Sequence, residues 1–324
     1  MNKRRTFPLP WRRALLGLTA AALLAGGPAQ AESYPDEPVD WIVMWRAGGG
    51  ADTATRTFTG AFERLTGAEI VVQNMPGGGG AIGYTAAKAA DPDGYTLVTI
   101  QGDLPKYEPM QVAPIKIDDF DILAGFAYQS PVVVVRADAP WQTLEEFVSD
   151  AKTNPGKYSI GTTDLGGIFH QPMVLWEDAA GFEAQPVVLE GSQQQVVSLL
   201  GGHTDAAITW VKAAAPYVAE GDLRYLGYMA SERNPDFPEV PTLKELGYAV
   251  VSEHPYGVGA PAGVPEEVKT VILAGAETVW DDPDFQAQLA KQGLSVLRLD
   301  GAAYRKHLLT MQEDLAKALA LMQQ

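Results

Sequence analysis

Val39-Asp40-Trp41-Ile42-Val43-Met44-Trp45-Arg46-Ala47-Gly48-Gly49-Gly50-Ala51-Asp52 is the stretch on which the fold turns. Its first six residues are nearly all apolar, as a strand covered on both faces requires. The glycine run breaks that strand. Beyond it, Phe58, Phe62 and Leu65 share one helical face, which predicts a helix over 53–65 stopped by Gly67. Working outward, the pattern continues with a strand at 70–72, a loop at 74–80 and a helix to about 90. The turn Asp91-Pro92-Asp93-Gly94 then leads into a strand at 95–100. Strand and helix in alternation predict a parallel sheet with covering helices, an α/β fold.

The alternation resumes after Pro131, with strands at 132–135, 158–161, 186–189, 206–209 and 223–228. A helix is expected from about 168. Thr143-Leu144-Glu145-Glu146 and Ser192-Gln193-Gln194-Gln195 read as capping boxes that open helices, and Thr242-Leu243-Lys244-Glu245 as one that opens a short helix. Helices at 267–280, 283–292 and 303–322 close the chain. No repeat or low-complexity linker separates the halves. Two sheets without a linker predict two domains joined by crossing strands, the first from 32–130 plus 251–324 and the second from 131–250.

Residues 1–31 read as an export address. Lys3, Arg4, Arg5, Arg12 and Arg13 form a positive start, Ala14 to Ala25 an apolar run, and Pro28-Ala29-Gln30-Ala31 a small-x-small cleavage site. The run is shorter than the roughly 20 residues of a membrane span. Arg4-Arg5-Thr6-Phe7 leaves general and twin-arginine export both open. A cleaved, soluble, periplasmic protein is expected. The chain carries a net charge of −16, and the address holds five positive charges and no acid, so the remainder stands at −21. Such a chain repels nucleic acid and anionic lipid. With no cysteine, it can form neither disulfides nor thiolate metal sites.

The remaining signal is where the glycines fall. Ala47-Gly48-Gly49-Gly50-Ala51-Asp52, the segment from Asn74 to Gly83, and Gly161-Thr162-Thr163-Asp164-Leu165-Gly166-Gly167 each follow a strand and lead into a helix. In open α/β sheets ligands bind at such loops. Glycine lets the backbone approach a ligand, and the next helix presents unpaired N–H groups carrying about half a positive charge. This makes an anion site without cationic side chains. Asp52 is expected to be the N-cap of its helix. Gly78-x-Gly80-x-x-Gly83, with Asp103 twenty residues on, also satisfies a dinucleotide fingerprint, although four residues separate it from its strand. No Gly-x-Ser-x-Gly elbow, His-Glu-x-x-His motif or metal-ligand spacing occurs, so neither catalysis nor a metal or organic cofactor is expected.

Together these motifs resemble the Bug-type receptors, the extracytoplasmic solute-binding proteins of tripartite tricarboxylate transporters. The landmarks are Gly48-Gly49-Gly50-Ala51-Asp52, Asn74-x-Pro76-Gly77-Gly78-Gly79-Gly80-x-x-Gly83 and Asp91-Pro92-Asp93-Gly94-Tyr95-Thr96-Leu97. They continue with Asn154-Pro155-Gly156-Lys157, Leu199-Leu200-Gly201-Gly202-x-x-Asp205, Pro238-x-Val240-Pro241-Thr242 and Ala260-Pro261-Ala262-Gly263-Val264-Pro265.

The resemblance implies a periplasmic binding protein type II fold, two α/β domains with a hinge and an inter-domain ligand cleft. It also implies a monomer that hands a small carboxylate to membrane transporter subunits. The carboxylate is held by the first loop (Trp45, Arg46, Ala47, Gly48, Gly49, Gly50, Asp52) and by the third (Thr162, Thr163, Gly166, Gly167, Ile168, with His170 following). Gly78 of the second loop and Thr209, Trp210 and Lys212 complete the expected site. Arg46 stands where the family has small residues, either to clamp a second carboxylate or to form a salt bridge. Trp45 and Trp210 point to a di- or tricarboxylate or a bulkier aromatic acid, with Trp210 placed in the cleft or in the core. Two other readings are a receptor of the same fold serving signalling, and an exported enzyme using the 78–83 loop for a nucleotide.

Overall fold

The computed structural model describes residues 34–163 and 166–323. The expected signal peptide lies outside them, as do Asp164 and Leu165 of the third loop. Along the chain run β1 (Val39–Val43), α1 (Gly50–Thr66), β2 (Ile70–Asn74), α2 (Ala81–Lys88), β3 (Thr96–Gln101) and β4 (Phe120–Gln129). Next come β5 (Pro131–Arg136), α3 (Leu144–Thr153), β6 (Ser159–Thr162), α4 (His170–Ala180), β7 (Gln185–Val188), α5 (Ser192–Leu200), β8 (Ala206–Trp210), α6 (Val211–Glu220) and β9 (Leu223–Tyr228). The last are β10 (His254–Pro261), α7 (Glu266–Trp280), α8 (Pro283–Lys291), β11 (Ser295–Val296) and α9 (Gly301–Leu321).

Two sheets result, ordered β11-β4-β10-β3-β1-β2 and β7-β6-β8-β5-β9. The strands that feed the glycine loops are parallel as expected, β1 with β2 and β3, and β6 with β7 and β8. Both sheets are nevertheless mixed, because β4, β5, β9, β10 and β11 pair antiparallel. The run Val132-Val133-Val134-Val135 shows why a central strand is apolar throughout. Val133 and Val135 pack with Phe147 and Trp176 on one face, while Val132 and Val134 pack with Val196 and Leu199 on the other.

Four elements escape the sequence pattern, the two-residue β11 among them. The helix α6 starts directly behind β8 and carries Pro216 inside it. Strands β4 and β10 are the long antiparallel pair beside β3. All eight residues of β10 are buried, yet glycine and proline fill half of it, a composition that strands normally avoid. Packing explains this. A Cβ on Gly257 would fall on the Tyr304 ring and the Ala124 carbonyl oxygen, and one on Gly259 would fall on Ile100. The helix α9 therefore lies directly against strand backbone, and the Tyr304 hydroxyl donates to the Ile100 carbonyl at 2.9 Å. Through Ser130 the chain passes from β4 into the second sheet at β5, and it returns to the first sheet at β10.

The capping expectations divide. Thr143 Oγ1 accepts from the Glu146 N–H at 3.2 Å, but the Glu146 carboxylate turns to the Gln142 N–H instead of completing a box. Thr242 and Glu245 form the reciprocal pair at 2.9 and 3.1 Å, around tight turns rather than a helix. Ser192 does not cap α5. Gly191 precedes the helix, and Gln195 is buried, donating to the Ile208 carbonyl at 2.9 Å. A sheet carbonyl claims the side chain that the box would have used.

Gly257→Ala is expected to cost about 3 kcal/mol of stability, since neither ring nor backbone can yield freely. Gly60, inside α1 with open space around it, is the control. Gly60→Ala should hold or raise stability by up to about 1 kcal/mol. Urea unfolding of both variants measures the difference.

Candidate functional site

Helix α1 begins at Gly50 with Gly49 as its N-cap, three residues before the apolar periodicity starts. The glycine loop is wound into the first turn. Thr53 N–H bonds to the Gly49 carbonyl at 2.9 Å, while the N–H groups of Gly50, Ala51 and Asp52 have no acceptor among the described residues. Asp52, expected as the N-cap, is instead the third helical residue. Its buried carboxylate accepts from Gly48 N at 2.8 Å, Arg56 Nε at 2.9 Å and Asn74 Nδ2 at 2.9 Å. Asn74 Nδ2 also reaches the Trp45 carbonyl at 2.9 Å. Asp52 thus clasps the first loop to the end of β2. Burial alone would raise its pKa, but these donors outweigh it and hold the carboxyl below the usual range. Behind the clasp, Thr55 Oγ1 and Trp41 Nε1 both meet Thr99 Oγ1, at 2.7 and 2.8 Å, and fasten α1 to the sheet.

In front of that helix end lies a cavity of about 720 Å³. The first loop contributes Trp45, Arg46, Gly49 and Gly50 to its wall, with Ala51 beside them. The second sheet contributes Gly166, Gly167, Ile168 and Trp210. Arg46 is exposed and paired to no carboxylate among the described residues. Trp210 is half-buried and holds both positions foreseen for it, on the wall and edge-on to Phe169 at 4.7 Å.

The other expected residues are placed off the wall. Ala47 and Gly48 are exposed, and Gly48 makes the turn at a φ of 78°. Gly78 sits in a short 3-10 turn, with its neighbours Gly77 and Gly79 on the wall instead. The hydroxyls of Thr162, Thr163 and Thr209 are buried without a hydrogen-bond partner among the described residues. His170 is buried, and its Nδ1 accepts from Gly166 N at 3.0 Å, which shapes the third loop. Lys212 is exposed in the first turn of α6, where it lies against Gly293.

Several wall residues lie outside the expected site. Gln101 ends β3, Asp103 and Lys106 follow it, Gln129 ends β4, and His254 and Tyr256 open β10. Gln129 Nε2 donates to Tyr256 Oη at 2.8 Å. The His254 ring stands edge-on to Tyr256 at 5.1 Å and 6.0 Å from Trp210. Burial, aided by the nearby Lys106, depresses the His254 pKa to about 3, so it is neutral at physiological pH. Burial raises Asp103 to about 6, against the opposing pull of Lys106, Gln101 and Tyr84. Its Oδ1 accepts from the Tyr84 hydroxyl at 3.2 Å, so the acid that a dinucleotide fingerprint assigns to a ribose is tied to α2. The wall therefore offers backbone amides, the cations Arg46 and Lys106, the acids Asp103 and Glu253, and neutral polar side chains around an aromatic-lined space.

Two α/β lobes with a cavity at their strand-to-helix loops define a bilobal binding protein of the periplasmic type II fold. The model of the tripartite tricarboxylate transporter family receptor matches residues 55–324, and the chain belongs to that family. It is 31% identical over 298 residues to a UPF0065 protein of Cupriavidus necator, covering 90% of each chain. It is 30% identical over 265 residues to Protein BugT of Bordetella pertussis, covering 80% of this chain and 81% of that one. A solute-binding protein of the same family from Polaromonas superposes with a TM-score of 0.80 at 30% identity, covering 90% and 99% of the two chains. Two Rhodopseudomonas palustris proteins share the fold. One, solved with adipate, has a TM-score of 0.72 at 22% identity, covering 89% of this chain and 98% of its own. The other, solved with bound malate, has a TM-score of 0.67 at 24% identity, covering 89% and 99%. Family and fold are those of periplasmic solute-binding receptors, not enzymes, and the nucleotide reading of the 78–83 loop falls with this.

Asp52→Ala should cost about 2–3 kcal/mol at pH 7, the worth of hydrogen bonds to a charged acceptor. A carboxyl whose folded pKa is depressed contributes fully above its unfolded value near pH 4 and loses that contribution as pH falls through the folded value. The gap between wild type and variant should therefore be smaller at pH 3 than at pH 7. Urea unfolding at the two pH values measures it.

Proposed function

We propose that this receptor captures a small organic carboxylate between its lobes and delivers it, as a monomer, to the membrane subunits of a tripartite transporter. The lobes comprise residues 32–130 plus 251–324 and residues 131–250, following export directed by residues 1–31. The observation that carries the reading is the unpaired N–H groups of Gly50 and Ala51 on a wall shared with Gly166 and Gly167 of the other sheet. Helix-end amides favour an anion. Charge-assisted hydrogen bonds are worth roughly 1.5–3 kcal/mol each, whereas the field of the acidic surface is screened over about 8 Å. A few local donors thus outweigh a chain of strongly negative charge.

Arg46, exposed and unpaired at the cavity, is suited to a second carboxylate, which it can take in bidentate fashion. Trp45 and Trp210 suit an apolar body between the polar ends. The adipate and malate of the two R. palustris proteins are both dicarboxylates, which agrees with that arrangement.

A calorimetric and thermal-shift panel of adipate, malate, citrate and benzoate tests the reading, with ATP and NAD as controls. At least one acid should bind and raise the melting temperature, and the nucleotides should not. Stabilisation by nucleotides alone would sink it. Arg46→Ala should weaken a bound dicarboxylate about tenfold or more while sparing its monocarboxylate analogue; equal losses for both would remove Arg46 from the site.

A further inference from the structure

We infer that the Tyr256 hydroxyl is a direct donor to the ligand carboxylate at the start of α1, with Gln129 as its positioning residue. The inference rests on the carboxylate reading and names a contact within that site. Tyr256 is 3% exposed, and its side chain reaches the cavity wall. Its oxygen accepts a hydrogen bond from Gln129 Nε2 at 2.8 Å, which uses a lone pair and leaves the phenolic hydrogen unspent. No acceptor among the described residues takes that hydrogen. Burial holds the phenol well above its ordinary pKa, so the hydrogen is retained at any physiological pH.

The position is as telling as the chemistry. A Cβ built on Gly50 would lie 3.6 Å from Tyr256 Oη. The phenol therefore stands over the first residue of α1, beside the N–H groups that have no partner. Donors on a strand and on a helix converge on one point. A group with acceptor oxygens only satisfies all of them, and an ionised carboxylate is such a group. A carboxamide turns an N–H toward at least one donor and forfeits that bond. The pair also spans both chain crossings, since Gln129 ends β4 just before the chain leaves the first sheet and Tyr256 lies on β10, where it returns. A carboxylate held here touches the strands that join the two sheets.

The test is calorimetry with the tightest-binding acid of the adipate, malate, citrate and benzoate panel and with its carboxamide. Tyr256→Phe keeps the ring and should lower affinity about 10- to 100-fold, with the melting temperature of the free protein little changed. Gln129→Leu should lower affinity less, and should lower it no further in the Tyr256→Phe background, a coupling that a purely structural role would not produce. Gly50→Ala meets no clash and improves helix propensity, but sets a methyl group between phenol and amides. It should weaken binding at equal or higher stability. If the wild-type protein binds none of the four acids, the carboxylate reading itself is overturned. If an acid binds and Tyr256→Phe binds it within twofold of wild type, the inference alone is overturned.

Discussion

The Asp52 clasp is the interaction on which the site depends. A single buried carboxylate takes hydrogen bonds from a loop amide, a helix guanidinium and the amide of Asn74 at the end of β2. These bonds satisfy its charge, so burying it is tolerable, and they position two glycine loops against each other. Because Asp52 reaches back to Gly48, the helix can start at Gly50 without a side-chain cap. The amides that a serine or aspartate normally covers are left to face the cavity. Stability is placed behind the loop and recognition in front of it.

That division explains how an acidic protein can attract an acid. The long-range field is unfavourable, but solvent and salt screen it over about 8 Å. Within the cavity the relevant charges are local. They are the end of α1, the unpaired Arg46, Lys106 beside an Asp103 whose burial weakens its ionisation, and Glu253, whose carboxylate accepts from Ser231. His254 contributes no charge, because burial and Lys106 keep it neutral. Selectivity in such a pocket comes from which lone pairs and hydrogens face inward, more than from net charge.

The crossing strands give the site its second half. In β10, glycines that would weaken an exposed strand allow Tyr304 of α9 to pack on the backbone. The register of β10 against β4 brings His254, Tyr256 and Gln129 to one end of the sheet.

Much of the architecture is legible in the chain itself. Apolar runs ending in glycine, followed by helical periodicity, announce the strand-loop-helix units because burial on two faces leaves a periodic mark. The loops at 47–52 and 161–167 are visible for the same reason, and Gly49, Gly50, Gly166 and Gly167 do meet at the cavity. The role of Asp52 is not legible, since N-cap and third helical residue differ only in how the preceding glycines wind. Nor is the pairing of β4 with β10, since glycine and proline fill half of β10 and its packing depends on a helix some fifty residues later. Sequence by itself determined the repeating units and the glycine loops, which are local properties of backbone and burial. Only the tertiary structure decided that Tyr256, Gln129 and the end of α1 face one another, because side chains distant in the chain converge only when sheet register and helix packing are both in place.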